Sequence, residues 1–116
     1  MANRKPKQRL RGTDVFAAIG DPTRRKVLDM LSRENLAAGE IASHFRVSRP
    51  AISQHLHILR RAQLVAVQKR GREHIYRLNP EPLHTVYDWI EHYEQFWNQK
   101  LVVLGEYLDE ISGGKE

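Results

Sequence analysis

Three polar residues in the segment SRPAISQHLHILRRAQL (48–64) have side chains that suit hydrogen bonding to nucleic-acid bases. Arg49, Ser53 and Gln54 fall on the polar face of a predicted helix, near its N-terminus. Arginine can donate two hydrogen bonds to guanine, glutamine can pair with adenine, and serine can bond either base. These residue types at this spacing predict a surface that contacts base edges.

The helix that carries these residues needs an apolar face to hold it on a domain. A stripe of apolar residues at helical spacing provides one: Ile52, Leu56, Leu59 and Ala62. Ser48 is expected to be the N-cap and Pro50 to lie in the first turn, where a proline costs no hydrogen bond. His57 and Arg60 remain on the polar side, where they could approach a phosphate backbone.

A second helix is predicted just before this one. The stretch LAAGEIASHFRV (36–47) has apolar residues at helical spacing, and RVSRP after it predicts a turn of three or four residues. A helix, a tight turn and a polar-faced helix together predict a helix-turn-helix, whose second helix enters the major groove of DNA. Double-stranded DNA is therefore the expected partner.

Two further helices are expected upstream. TDVFAAIG predicts a short helix from about Thr13 that stops at Gly20. DPTRRKVLDMLSREN predicts a helix with Asp21 as N-cap and Pro22 at its first position. Its inward face should be formed by Val27, Leu28 and Leu31.

The periodicity changes after Ala62. LVAVQKR and EHIYRLN are short runs rich in Val, Ile and Tyr, with Gly71 between them, and they predict a β-hairpin. Lys69, Arg70 and Arg72 would lie at its tip. A basic tip on a hairpin that follows a helix-turn-helix predicts a wing that contacts the DNA backbone or minor groove.

The C-terminal stretch from Pro80 to Gly114 predicts one long helix, or two in near-continuous register. Its apolar stripe is too large for a small domain to cover and is interpreted as a homodimer interface, which the first helix joins through Phe16. A lid folded on the same chain is the alternative interpretation. The stripe residues assigned to the interface are Val86, Ile90, Tyr93, Trp97, Leu101 and Leu104.

Charge divides along the chain in agreement with this interpretation. Residues 1–80 contain 17 Lys and Arg against 6 Asp and Glu, whereas residues 81–116 contain 2 against 8. A basic segment favours binding to a polyanion, and the same polyanion would repel the acidic C-terminal helix. The expected organisation is a basic flexible arm (1–12), a DNA-binding domain (13–80), a dimerisation helix or helix pair (81–112) and a flexible tail (113–116).

Several classes of protein are disfavoured. The 116 residues include no cysteine, which excludes disulfides and thiolate metal sites. No apolar run approaches the ~20 residues that span a bilayer, so a cytoplasmic protein without membrane contact is expected. Because nucleophile, acid-pair and phosphate-loop motifs are lacking, we do not expect an enzyme. A protein-interaction module is a weaker alternative because it leaves the polar face of the second helix unexplained. An RNA-binding winged helix is a weaker alternative because that face lacks exposed aromatic residues for stacking on bases.

With these elements placed, the stretches GDPTRRKVLDML, VSRPAISQHLHILRRAQLV and RGREHIYRLNPEPL resemble the ArsR-type winged-helix regulators, and the C-terminal stretch is similar to their metal-free SdpR-like branch. The resemblance implies a mostly α fold with a small β-hairpin: a winged helix-turn-helix with a long C-terminal dimerisation helix. It further implies a homodimeric repressor that binds a palindromic operator, possibly its own promoter. The DNA-contacting residues implied by position include Ser48, Arg49, Ser53, Gln54, His57, Arg60, Lys69, Arg70 and Arg72.

For a metal site, the resemblance to the family and the residues of this chain lead to different expectations. Metal-sensing relatives place cysteines near the start of the third helix, where this chain has Ala37 and Ala38. His84, Asp88 and His92 fall at i, i+4 and i+8 and could hold zinc with ligands from a partner chain. That spacing also arises by chance on a long helix, so no metal or other cofactor is expected. A zinc-responsive regulator remains the alternative.

Overall fold

The computed structural model of the protein describes residues 15–113. These residues form two compact units, of which the first extends to Val86 and the second begins at Tyr87. The predicted basic arm (1–12), the expected start of the first helix at Thr13 and residues 114–116 lie outside the described residues.

The described residues are mostly helical with one small antiparallel sheet, the composition that the sequence predicts. Residues 15–19 are helical and are called α1. The remaining elements are α2 (Pro22–Leu31), β1 (Leu36–Ala37), α3 (Ala38–Ala42), α4 (Arg49–Arg61), β2 (Val65–Arg70), β3 (Glu73–Leu78) and α5 (Leu83–Gly113).

Helices α2 and α4 begin where the sequence predicts. The side chain of Asp21 accepts a hydrogen bond from the backbone N–H of Arg24, and Pro22 is the first residue of α2. At α4 the Ser48 hydroxyl accepts from the backbone N–H of Ala51 at 3.3 Å. Each cap satisfies a backbone donor that the first helical turn leaves without an internal partner.

The apolar faces of α2 and α4 meet in the core of the first unit. The predicted stripe of α4 is buried, as are Val27, Leu28 and Leu31 of α2. Burial of such a face, rather than helix propensity, supplies most of the stability of a short helix. The buried residues of this core include Ala18, Val27, Met30, Leu31, Leu36, Ile41, Ile52, Leu56, Leu59 and Leu64.

The prediction that a helix starts at Leu36 is wrong. Leu36 and Ala37 form strand β1, which pairs antiparallel with Tyr76 and Ile75 of β3. Both β1 side chains are buried, and the Glu40 carboxylate accepts the backbone N–H of Ala37 at 2.8 Å. The helix therefore begins only at Ala38, because the two preceding residues pair with β3. The sheet has three strands in the order β1-β3-β2.

The turn between α3 and α4 is also longer than predicted, since it comprises residues 43–48 instead of three or four residues. The carbonyl of Glu40 binds the Ser43 hydroxyl at 2.7 Å and the His44 Nδ1 at 2.9 Å. These side chains take the acceptor that the next helical N–H would use, so α3 ends early.

The predicted hairpin is present, with a two-residue loop. Arg70 of β2 pairs with Glu73 of β3, which leaves Gly71 and Arg72 to make the turn. Gly71 has a φ of 64°. Positive φ at the first loop position is typical of a type II′ turn and explains why a glycine stands there.

Helix α5 is continuous over 31 residues. Many large apolar residues on it are exposed, among them Trp89, Phe96, Trp97, Leu101, Leu104 and Leu108. Despite this apolar character, neither α5 nor another helix within residues 15–113 has the length and hydropathy of a membrane-spanning segment.

The connection from α4 to β2 yields a stability prediction. Gln63 has a φ of 61° and follows the C-cap of α4, a position that favours glycine. Its carbonyl accepts from the Asn79 amide at 2.8 Å, a contact that does not involve its exposed side chain. We expect Gln63→Gly to raise the free energy of unfolding by about 0.5 to 1 kcal/mol in urea titrations. Gln63→Ala should stay within about 0.5 kcal/mol of wild type, and a destabilised glycine variant would contradict the explanation.

Candidate nucleic-acid interface

The side chains that α4 leaves outside the core are polar. Arg49, Ser53, Gln54, His57 and Arg60 are all exposed, as the sequence predicts. Helical spacing places Gln54 and His57 opposite the buried face, with Arg49 and Ser53 along the side nearer the N-terminus. Such a surface offers guanidinium, amide and hydroxyl groups to an external partner at the end of the helix where its dipole favours anions.

Ser48 has a structural task in addition to its predicted contact with DNA. Its hydroxyl oxygen is the N-cap acceptor of α4, although the residue is exposed. A hydroxyl that accepts one hydrogen bond still has a proton to donate. The capping interaction therefore fixes its position and leaves its donor for a phosphate oxygen.

The tip of the β2-β3 hairpin carries the second group of predicted residues. Lys69, Arg70 and Arg72 are exposed around Gly71. The tip is positioned by the six residue pairs of the hairpin and by β1 on the other side of β3. Three cations on a short, paired hairpin give a fixed positive projection.

A polar cleft connects the hairpin tip with the start of α4. It has a volume of about 600 Å³. Its lining includes Arg49 from α4, Arg72 and His74 from the hairpin, and Glu40 from α3. The structure therefore brings together two arginines that are 23 residues apart in sequence and were predicted separately as a base contact and a wing contact.

A cluster behind α4 was missed by the sequence analysis. Arg24 donates from Nε to the carbonyl of Ala18 at 2.7 Å and from Nη2 to that of Ala17 at 3.1 Å. Its Nη1 lies 3.1 Å from Nδ1 of His55, which is half-buried on the inner side of α4. Only the spacing of Asp21 and Arg24, together with a histidine beside the apolar stripe, could have indicated this cluster.

Asp21 completes this cluster from the N-cap of α2. The hydrogen bond from the Arg24 backbone N–H lowers the pKa of the Asp21 carboxyl against an opposing effect of burial, and the charge of Arg24 and the backbone N–H of Thr23 lower it further. The carboxylate is thus charged at neutral pH. It holds the first turn of α2, from which Arg24 extends, in a fixed position.

The predicted dimer residues differ in exposure. Phe16, Val86 and Ile90 are half-buried, whereas Tyr93, Trp97, Leu101 and Leu104 are exposed. The Trp89 and Tyr93 rings pack edge to face with centroids 5.4 Å apart, and Tyr93 lies 6.2 Å from Phe96. These aromatic residues line one side of α5 with a preformed apolar surface.

The three metal candidates lie along α5. His84, Asp88 and His92 are exposed, and the His92 ring contacts that of Tyr93 with centroids 5.1 Å apart. Within residues 15–113 of one chain, no three His, Asp or Glu side chains are grouped so that they could hold a metal ion. A site shared between two chains stays a prediction.

Comparison with known proteins identifies the family in which this arrangement of helices and hairpin occurs. The model of the family described as "Bacterial regulatory protein, arsR family" matches residues 21–67, from the cap of α2 into β2. The transcriptional repressor SdpR of Bacillus subtilis (strain 168) is 44% identical over 77 residues, a match that covers 66% of this chain and 86% of SdpR. The chain belongs to the arsR family.

Two further proteins are similar to this arsR-family chain over most of their length. The HTH-type transcriptional regulator Rv2034 of Mycobacterium tuberculosis is 36% identical over 95 residues, which cover 82% of this chain and 86% of Rv2034. The structure of an ArsR-like transcriptional regulator from Rhodococcus sp. RHA1 is 32% identical, with a TM-score of 0.64, and the match covers 86% of this chain and 94% of that chain.

Membership of the arsR family confirms three predictions: the resemblance itself, the winged helix-turn-helix fold and the exclusion of an enzyme. The arsR-family chain is a DNA-binding regulator of transcription. Its helix-turn-helix consists of α3, the turn at 43–48 and α4, and its wing is the β2-β3 hairpin.

Proposed function

We propose that the protein is a homodimeric repressor that binds a palindromic operator, with its own promoter as the first candidate. The observation that carries this proposal is the cleft that Arg49 of α4 and Arg72 of the wing both line. Because that cleft joins the two elements, α4 in the major groove would place the wing tip on the adjacent backbone of the same duplex.

Base reading in this proposal belongs to the N-terminal half of α4. Arg49 would bind guanine O6 and N7, Gln54 would pair with adenine, and Ser53 would bond either base. All three side chains are exposed, and none of them supports the core. Their chemistry is therefore available to DNA without any cost in folding.

Affinity in this proposal comes mainly from contacts to phosphates. Half or more of protein–DNA hydrogen bonds go to the backbone, where they fix register without reading sequence. Arg60 and His57 extend the exposed face of α4, and the wing tip supplies further cations. The proposed backbone contacts are Ser48, His57, Arg60, Lys69, Arg70 and Arg72.

The second half of the proposal is the dimer, which the exposed face of α5 supports. Trp97 is 52% exposed and Leu101 is 63% exposed, although both lie on one stripe with Leu104. Large contiguous apolar surfaces on small proteins mark interaction sites. A second copy of α5, joined by Phe16 of α1, would cover this stripe and give the two α4 helices a two-fold relation that matches a palindrome.

Repression is proposed by analogy with SdpR, which is named a transcriptional repressor. A dimer bound across a promoter would exclude polymerase without a further activity. Footprinting of the DNA upstream of the coding region tests this proposal directly. We expect two protected half-sites with centres about one helical turn, or a multiple of it, apart. Uniform weak protection along the fragment would contradict the proposal.

The wing contact gives a prediction of its own. Arg72→Ala should weaken binding to operator and random duplex by the same factor and should reduce the slope of log affinity against log salt by roughly one unit. The reason is that a phosphate contact releases counterions without reading a base. The measurement is fluorescence anisotropy at several salt concentrations.

A matched control for this prediction is Arg33→Ala. Leu36 pairs with Tyr76 and Ala37 with Ile75, so β1 runs toward the wing tip. The residues before β1 therefore approach it from the opposite end of the hairpin, the base of the wing. Arg33 precedes β1, so it lies toward the base and away from the tip, and it is exposed. Arg33→Ala removes the same charge and should leave the slope unchanged. An equal change in slope for both variants would argue against a wing contact.

A further inference from the structure

We infer that Arg24 is a positioning residue that couples α1 to the DNA-reading helix α4 through His55. This inference rests on the proposed function, in which α1 joins the dimer and α4 reads bases. One guanidinium binds the carbonyls of Ala17 and Ala18 at the end of α1 and also Nδ1 of His55 on α4. Residues 24 and 55 are 31 positions apart, so the link is tertiary.

The chemistry of the two side chains fixes the direction of the hydrogen bond between them. A guanidinium has only donors, so Nδ1 of His55 must accept and the ring proton must reside on Nε2. The competing arrangement, an ion pair between a protonated His55 and Asp21, spans 3.8 Å. The Arg24 contact is shorter, at 3.1 Å, and 3.8 Å is too long for a hydrogen bond between His55 and Asp21.

The planar guanidinium explains why these contacts act together. Three of its nitrogens are engaged, two with adjacent carbonyls at the end of α1 and one with His55 of α4, so α1 and α4 cannot shift independently while the contacts persist. In the proposed dimer, α1 belongs to the interface and α4 to the groove. The angle between them therefore sets how the base-reading side chains meet each half-site, and Arg24 holds that angle.

The neighbouring arginine provides a natural comparison. Arg25 donates from Nη1 to the carbonyl of Ile19 at 2.8 Å and so also binds the end of α1. No hydrogen bond from the Arg25 side chain to α4 is present among the described residues. Removing Arg25 should loosen α1, whereas removing Arg24 should also release α4.

The test measures the ratio of affinities for the footprinted duplex and a random duplex of equal length, using the full-length protein. Partial unfolding of a variant lowers its apparent affinity for both duplexes by the same factor. The ratio of the two affinities therefore does not depend on the fraction of folded protein. We expect Arg24→Gln and His55→Leu each to reduce the ratio about tenfold, while Arg25→Gln leaves it within about twofold. His55→Asn keeps an acceptor near the position of Nδ1 and should restore most of the ratio.

A double-mutant cycle then separates coupling from two independent defects. If the residues act through one contact, Arg24→Gln combined with His55→Leu should reduce the ratio about tenfold, whereas independent effects would reduce it about a hundredfold. Additive losses, or a His55→Asn variant as poor as His55→Leu, would overturn the inference. A wild-type protein that does not distinguish the two duplexes would instead refute the proposed function itself.

Discussion

Leu101→Glu is expected to abolish operator binding although it lies outside the DNA-contacting residues. Leu101 is 63% exposed in the single chain, so a glutamate there should leave the fold of one protomer intact. In the proposed dimer the same carboxylate would be buried without a partner, which costs several kcal/mol. We expect dissociation of the dimer and at least a hundredfold loss of operator affinity, or about 2.7 kcal/mol. Trp97→Glu should have the same effect.

Gln95→Glu is the matched control for these variants. Gln95 is exposed on α5, and its position two residues before Trp97 places it on roughly the opposite side of the helix. The Gln95→Glu substitution adds the same negative charge to the same helix but should affect neither dimer assembly nor DNA binding. Equilibrium sedimentation separates the cases. A Leu101→Glu protein that remains dimeric, or a wild-type protein that is monomeric at micromolar concentration, would contradict the proposed interface.

Arg49→Ala and Gln54→Ala are expected to damage base recognition. Each would remove the bidentate contact to a base edge that is proposed for that residue, and such a contact is worth about 1 to 3 kcal/mol of discrimination. Both side chains are exposed, so the loss should not arise from unfolding. Binding to a set of operators, each with one substituted base pair, should show a flattened preference at a single position in each half-site.

The contrast with Arg72→Ala makes this prediction specific. Arg72 and Arg49 line the same cleft, so removing either positive charge should weaken the general electrostatic attraction for DNA to a similar extent. Base reading by Arg49 predicts a loss for the operator that exceeds the loss for random duplex. If Arg49→Ala weakened both duplexes by the same factor, as expected of Arg72→Ala, Arg49 would be a phosphate contact and its role as a base reader would be wrong.

The parts of the fold that the sequence predicts well are those governed by local chemistry. Helices α2 and α4 begin at Asp21 and Ser48 because a side chain there caps a donor a few residues away. Their buried faces follow from helical spacing. Gly71 marks the turn of the wing because its positive φ favours a glycine.

The parts that the sequence does not predict depend on distant residues. Leu36 and Ala37 have apolar side chains that suit a helix or a strand. They form a strand because they pair with β3, which lies some 40 residues later in the sequence. The contact between Arg24 and His55 is equally remote in sequence. For the site, exposed polar residues could be named from α4 alone, but the cleft that joins Arg49 to Arg72 follows only from tertiary packing.

In the proposed function, α4 and the wing recognise a particular DNA sequence. The affinity for the footprinted duplex, a random duplex and an RNA duplex across a range of salt concentrations tests this recognition directly. We expect that all three affinities fall with salt and that the footprinted duplex binds at least about a thousandfold more tightly throughout. Coincident affinities for the three duplexes would contradict this recognition, because they would leave only the attraction of a basic surface for a polyanion.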